Sequence, residues 1–174
     1  LTEYTVLQHY KSRIPWLILG LFGGILAAWV VELFSETIAV EVALAAFIPA
    51  IVYIADAVGS QTQMVFVRSL TGKIQNSLLQ ILKREIIVAT SVGFTLATII
   101  GLLSYLWLGS STVSIILSIA VLSTVYFSVI VAILLPWVFY KLDYDPAVAT
   151  GPLATVIRDV SSLCIYFLIA LTVL

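Results

Sequence analysis

The sequence predicts an all-α integral membrane protein with five transmembrane helices to the protomer, and three observations carry that expectation. Hydrophobic residues make up 62% of the 174 and charged residues only 10%, whereas a soluble domain has about 25% charged and about 45–50% apolar residues. Mean hydropathy is +1.19, which is more apolar surface than a soluble chain of this length can hide. The apolar residues also fall into five runs, each near the roughly 20 residues that a helix needs to cross a hydrocarbon core about 30 Å thick. Helices follow because lipid offers no partner to backbone N–H and C=O groups, and the alternation of barrel strands is missing.

Residues 1–13 read as the end of a connecting segment and 14–174 as the spanning domain. The first span, about 14–34, carries Gly20, Gly23, Gly24, Ala27 and Ala28 at spacings suited to close helix contact. "SET" joins it to the second span, about 39–67. The third, about 85–108, is joined through "GSS" to the fourth, about 112–140. "KLDYDP" then leads to the fifth, about 147–174, with Pro146 placed to open that helix. The longest connection is "RSLTGKIQNSLLQILKRE", in which Ile74, Leu78, Leu79, Ile81 and Leu82 recur near helical spacing. That pattern predicts a short helix lying along the membrane interface. The chain opens on Leu1 rather than Met, which reads as a piece of a longer polypeptide.

With five spans, the cationic residues sort by side. Lys11, Arg13, Arg68, Lys73, Lys83, Arg84 and Lys141 share one side of the membrane, and Glu32, Glu36 and Glu41 lie on the other. Excess Lys and Arg mark the cytoplasmic side. The expected location is therefore the plasma (inner) membrane, with the N-terminus cytoplasmic and the C-terminus outside. The glutamates are either ordinary solvated loop residues or a rim that concentrates cations.

Charges inside the spans need a reason, since hydrocarbon penalises them by several kcal/mol. In the second span Tyr53, Asp56, Gly59, Ser60 and Gln63 fall near one helix face, at spacings of three and four. In the fifth, Gly151, Pro152, Thr155, Asp159, Ser162 and Tyr166 do the same. Both aspartates come out in the middle half of the membrane. Such acids either line a path for cations or pin helices together through internal pairing. Arg158 points about 100° away from Asp159; it can snorkel, pair with Asp56 of the neighbouring helix or repel cations from the path, and the ion pair is its expected role. Pro49, Gly59, Pro136, Gly151 and Pro152 are read as interruptions that free backbone carbonyls, or as simple kinks.

Enzyme chemistry finds little support. No phosphate-binding glycine loop, nucleophile–base pair or Cys/His cluster is present, so the chain is not read as an enzyme. His9 reads as an interface residue and Cys164 as apolar filler. Oxygen ligands dominate, favouring Mg²⁺, with Ca²⁺ or Mn²⁺ as alternatives, over zinc or copper. No nucleic acid partner is expected.

"RIPWLILGLFGGILAAWVVELF", "VALAAFIPAI…VGSQTQMVFVRSL" and "LDYDPAVATGPLATVIRDVSSLCIYFLIA" together resemble the membrane domain of the MgtE magnesium channels and transporters. The resemblance runs from Arg13 to near the end of the chain. It rests on Gly59-x-Gln61 with Arg68, and on Asp145-Pro146-Ala147, Gly151-Pro152, Thr155 and Asp159. It implies a five-helix protomer in a homodimer, with a pore near the dimer axis lined by the second and fifth spans. It also implies that Asp159 is the pore acid acting on largely hydrated Mg²⁺, and that cytoplasmic regulatory domains precede residue 1. Two departures stand out. Asp56-Ala57 replaces a Gly-Asn of the family, and Arg158 replaces a small or uncharged residue.

The expected function is a divalent-cation (Mg²⁺) channel or transporter. Its metal site would comprise Asp159, Gly151, Thr155, Ser162 and Asp56, with Thr155, Gly151 and Ser162 orienting the water shell. The alternatives are a carrier that couples the cation to H⁺ or Na⁺, and a non-transporting membrane assembly subunit.

Overall fold

The computed structural model describes residues 6–71 and 77–174. Lys73 and Ile74, and the side chains of His9, Thr71 and residues 146–150, lie outside the described set. Among the described residues the order is α1 (Val6–Leu33), α2 (Ser35–Val40), α3 (Ala43–Thr71), α4 (Leu78–Leu108), α5 (Ser111–Lys141) and α6 (Pro146–Val173). All but α2 are long and apolar enough to cross a membrane, so the five expected spans are present.

Several boundaries differ from expectation, each for a local reason. The "SET" connection is not a simple link, because Ser35–Val40 forms the short helix α2 with Thr37 buried. The second span accordingly starts at Ala43, where the Glu41 carboxylate accepts from the Ala43 backbone N–H at 3.4 Å. No separate interfacial helix appears among the described residues of the longest connection. Instead α3 runs on to Thr71, and Leu78, Leu79, Ile81 and Leu82 belong to the first turns of α4. Ser77 is the reason, because its hydroxyl accepts from Gln80 N while the Gln80 side chain accepts from Ser77 N. That capping box starts the helix well before the apolar run does. Helices α3, α5 and α6 are also continuous through Pro49, Pro136 and Pro152. A proline removes one N–H bond, and the turns on either side hold the helix together.

The centre of the bundle is α5, whose Val113, Ile116, Leu117, Ala120, Val121, Val125, Val129, Ala132 and Ile133 are buried. It packs against α3, α4 and α6, while α1 lies on α6. The α4 face towards α5 repeats a small residue every fourth position, Ala89, Gly93, Ala97 and Gly101, followed by Ser104. Small side chains let backbones approach and expose polar atoms to partners. Ser118 donates to the Ala97 carbonyl at 3.1 Å, Ser104 to Ser114 at 3.1 Å, and the Thr90 and Tyr126 hydroxyls share a 2.8 Å bond. Gly109, at φ 68°, closes α4 and lets Ser110 cap α5 at once.

Helices α3 and α6 run antiparallel. Leu44 near the start of α3 meets Tyr166 near the end of α6, through a 2.9 Å bond from the tyrosine hydroxyl to the Leu44 carbonyl. Of the small residues in α1, Gly23 is pressed against Val156 of α6, whereas Gly20 and Gly24 have open space where a side chain would stand.

Candidate functional site

Asp56 and Asp159 each stand near the midpoint of their helix, about 20 Å from its start at 1.5 Å per residue. The antiparallel packing of α3 on α6 brings this level of both helices together. Arg158 is the pivot. Its side chain is 2% exposed, and its Nη2 donates to Asp56 Oδ1 at 2.9 Å. Nη2 also donates to Ser60 Oγ at 3.3 Å, and Nη1 to Gln63 Oε1 at 3.4 Å. Thr155, one turn before Arg158 on α6, donates to the same Asp56 oxygen at 3.3 Å.

Glycine makes room for this arrangement. A Cβ on Gly59 would lie 2.5 Å from Arg158 Cδ and 2.5 Å from its Nη1. The Arg158 side chain therefore packs close against α3 at the one residue there without a side chain. Sequence reasoning read Gly59 as an interruption of the helix and missed this recess. The signal available was its position between Asp56 and Gln63, in the middle of the polar stripe.

The neighbouring residue behaves differently. Asp159 is half-buried, and its Oδ1 is buried without a hydrogen-bond partner among the described residues. Arg158 Nε is likewise buried without a partner. A buried carboxylate oxygen without a partner is costly.

The remaining expected site residues are placed less directly. Ser162 is buried, and its hydroxyl donates to the Asp159 backbone carbonyl at 2.9 Å. Gly151 is exposed, with open space where a Cβ would stand. Tyr53, on the α3 stripe, is 74% exposed and faces away from the protomer. The structure thus joins Asp56, Thr155, Arg158, Ser60 and Gln63 in one network, with Asp159 one residue beyond it. Among the described residues no group of three or more His, Cys, Asp or Glu is arranged to hold a metal ion.

These features define a class: a polytopic all-helical membrane protein that keeps charged groups halfway along two packed spans. The family profile described as "MgtE: Divalent cation transporter" matches residues 48–169, which takes in α3 from its second turn, α4, α5 and nearly all of α6. The chain is 31% identical over 160 residues to the magnesium transporter MgtE of Bacillus subtilis, covering 91% of this chain and 36% of that protein. With the magnesium transporter MgtE of Enterococcus faecalis it shares 29% over 170 residues, covering 94% and 37%. With that of Thermus thermophilus it shares 24% over 163 residues, covering 92% and 36%. The chain belongs to the MgtE family. It spans little more than a third of the length of these curated relatives. The family is one of transporters, in agreement with the reading that the chain is not an enzyme.

Proposed function

We propose that this chain is the membrane part of a Mg²⁺ channel or transporter, a homodimer whose pore near the dimer axis carries hydrated cations past Asp159. The observation that carries the reading is the half-buried Asp159 carboxylate, with one oxygen that has no partner among the described residues, held in mid-span beside an acid that is already paired. Mg²⁺ dehydrates reluctantly, so a carboxylate that acts on its water shell needs no cage of direct ligands. A symmetry-related pair of Asp159 side chains would concentrate such an ion by charge alone. Gly151, exposed and without a side chain, leaves width for the hydrated ion on the cytoplasmic side of Asp159. Thr155 fixes Asp56, and Ser162 steadies the backbone beneath Asp159. Residues 1–13 would then link the spanning part to cytoplasmic regulatory domains, with the C-terminus outside.

The names of the relatives support magnesium as the cargo. Coupling to H⁺ or Na⁺, and a purely structural role, are the competing readings. Asp159→Ala in the purified protein reconstituted into liposomes separates the purely structural role from the proposal. Mg²⁺ uptake is expected to be lost while the dimer stays intact on size exclusion, and uptake at the parent rate would refute the role. Uptake by the parent protein that is unchanged by an imposed pH or Na⁺ gradient would exclude the carrier.

A further inference from the structure

We propose that Arg158 is a positioning residue for conduction: a tethered counter-charge that occupies Asp56 and thereby sets how tightly the site holds a mobile cation. The proposal rests on the reading of Asp159 as the pore acid, and four observations carry it. The Arg158 side chain is 2% exposed, so its charge is not dissipated in solvent. Its two terminal nitrogens are committed to α3, through Asp56, Ser60 and Gln63. Gly59 supplies a recess that any larger residue would fill. Asp56, by contrast, keeps 37% of its side chain exposed, so without the guanidinium it would be a second accessible acid at the same level as Asp159.

Charge counting gives the consequence. With Asp56 neutralised by Arg158, each protomer offers one net negative charge, and a dimer offers two, matched to a single dication. Without Arg158 the dimer would offer four. Conduction needs a site that attracts an ion and also releases it. Doubling the negative charge in a partly dehydrated site deepens the well steeply, because each added charge acts through a dielectric well below that of water. Arg158 holds the site at the charge that lets the cation leave. It acts by positioning Asp56 and by its own field, without touching the ion.

The test measures the dependence of Mg²⁺ uptake on Mg²⁺ concentration, for protein reconstituted in liposomes. Arg158→Gln is expected to lower the half-saturating concentration by about tenfold or more, and to lower the maximal rate as release slows. Adding Asp56→Asn to that variant removes the extra acid and raises the half-saturating concentration again. Arg158→Lys, which keeps the charge, stays nearer the parent than Arg158→Gln does. A merely structural role predicts less folded protein or a lower maximal rate at an unchanged half-saturating concentration, and that result overturns the proposal. Should Arg158→Gln not purify as a folded dimer, Asp56→Asn alone reads the same balance in the opposite sense. It leaves the guanidinium uncompensated and raises the half-saturating concentration, and an unchanged value again overturns the proposal. Asp159→Ala is run alongside. Persisting uptake in that variant defeats the pore-acid reading itself, whereas its loss with an unshifted Arg158→Gln defeats only the counter-charge.

Discussion

Two adjacent residues of α6 do opposite things. Arg158 is drawn into α3, where three side chains accept from its terminal nitrogens, and Asp159 keeps an oxygen without a partner among the described residues. The helix makes this division possible, because successive side chains diverge by about 100°. A buried ion pair is weak evidence of stability, since desolvation offsets much of the attraction. Its value here lies in fixing which acid remains available. Gly59 is the silent partner in that choice. Gly59→Ala forces the guanidinium off its seat and is expected to destabilise the protomer by about 1–3 kcal/mol, as overpacking of a tight contact does. Unfolding in mixed detergent micelles measures it, and an unchanged midpoint would show that the arginine has another place to go. The pairing of Asp56 with Arg158 was legible in the sequence, because an arginine within one span and an acid on the polar stripe of another have few other partners in hydrocarbon. The recess at Gly59 was not. A glycine in a polar stripe looks the same whether it bends a helix or receives a neighbour, and only the packed pair tells them apart.

Among the elements, α4 and α5 show how the bundle is tied away from the charged network. Small residues at every fourth position of α4 bring its backbone near α5, and serines from α5 then reach carbonyl and hydroxyl oxygens across the gap. A Cβ on Gly101 would run into the Ser118 hydroxyl, whereas one on Gly20 of α1 meets nothing within 4 Å. Gly101→Ala is therefore expected to lower protomer stability by about 1–3 kcal/mol, with Gly20→Ala changing it by no more than about 0.5 kcal/mol. Equal effects in the same micelle titration would contradict this packing. The five spans were legible because apolar length alone reports them. The starts of α3 and α4 were not, since Glu41, Ser77 and Gln80 act through capping bonds that hydropathy does not register. The repeat at 89, 93, 97 and 101 is visible in the sequence in retrospect, though a period of four small residues says nothing about which neighbour it meets.

On the scale of the whole molecule, α5 forms the buried axle, and α3 and α6 pack on it while carrying the charged network on their contact. One chain by itself offers a single acid at this level that is not already paired with Arg158, half the charge of a dication. In the proposed dimer a second copy would supply the other, and the site would be complete only on the dimer axis. Much of α1 and α4 presents large apolar side chains outward, among them Leu17, Leu21, Phe22, Phe94, Leu103 and Trp107, as lipid contact requires. Every part of the proposal converges on Asp159 in its paired setting. The most direct measurement is an experimental structure of the dimer in lipid with Mn²⁺ as an anomalous scatterer in place of Mg²⁺. The account predicts metal density between the two Asp159 carboxylates, with the ion about 4–5 Å from the nearer oxygen of each and one water between them. Two Asp159 side chains sealed in separate dry helix contacts, with no metal near either, would contradict it.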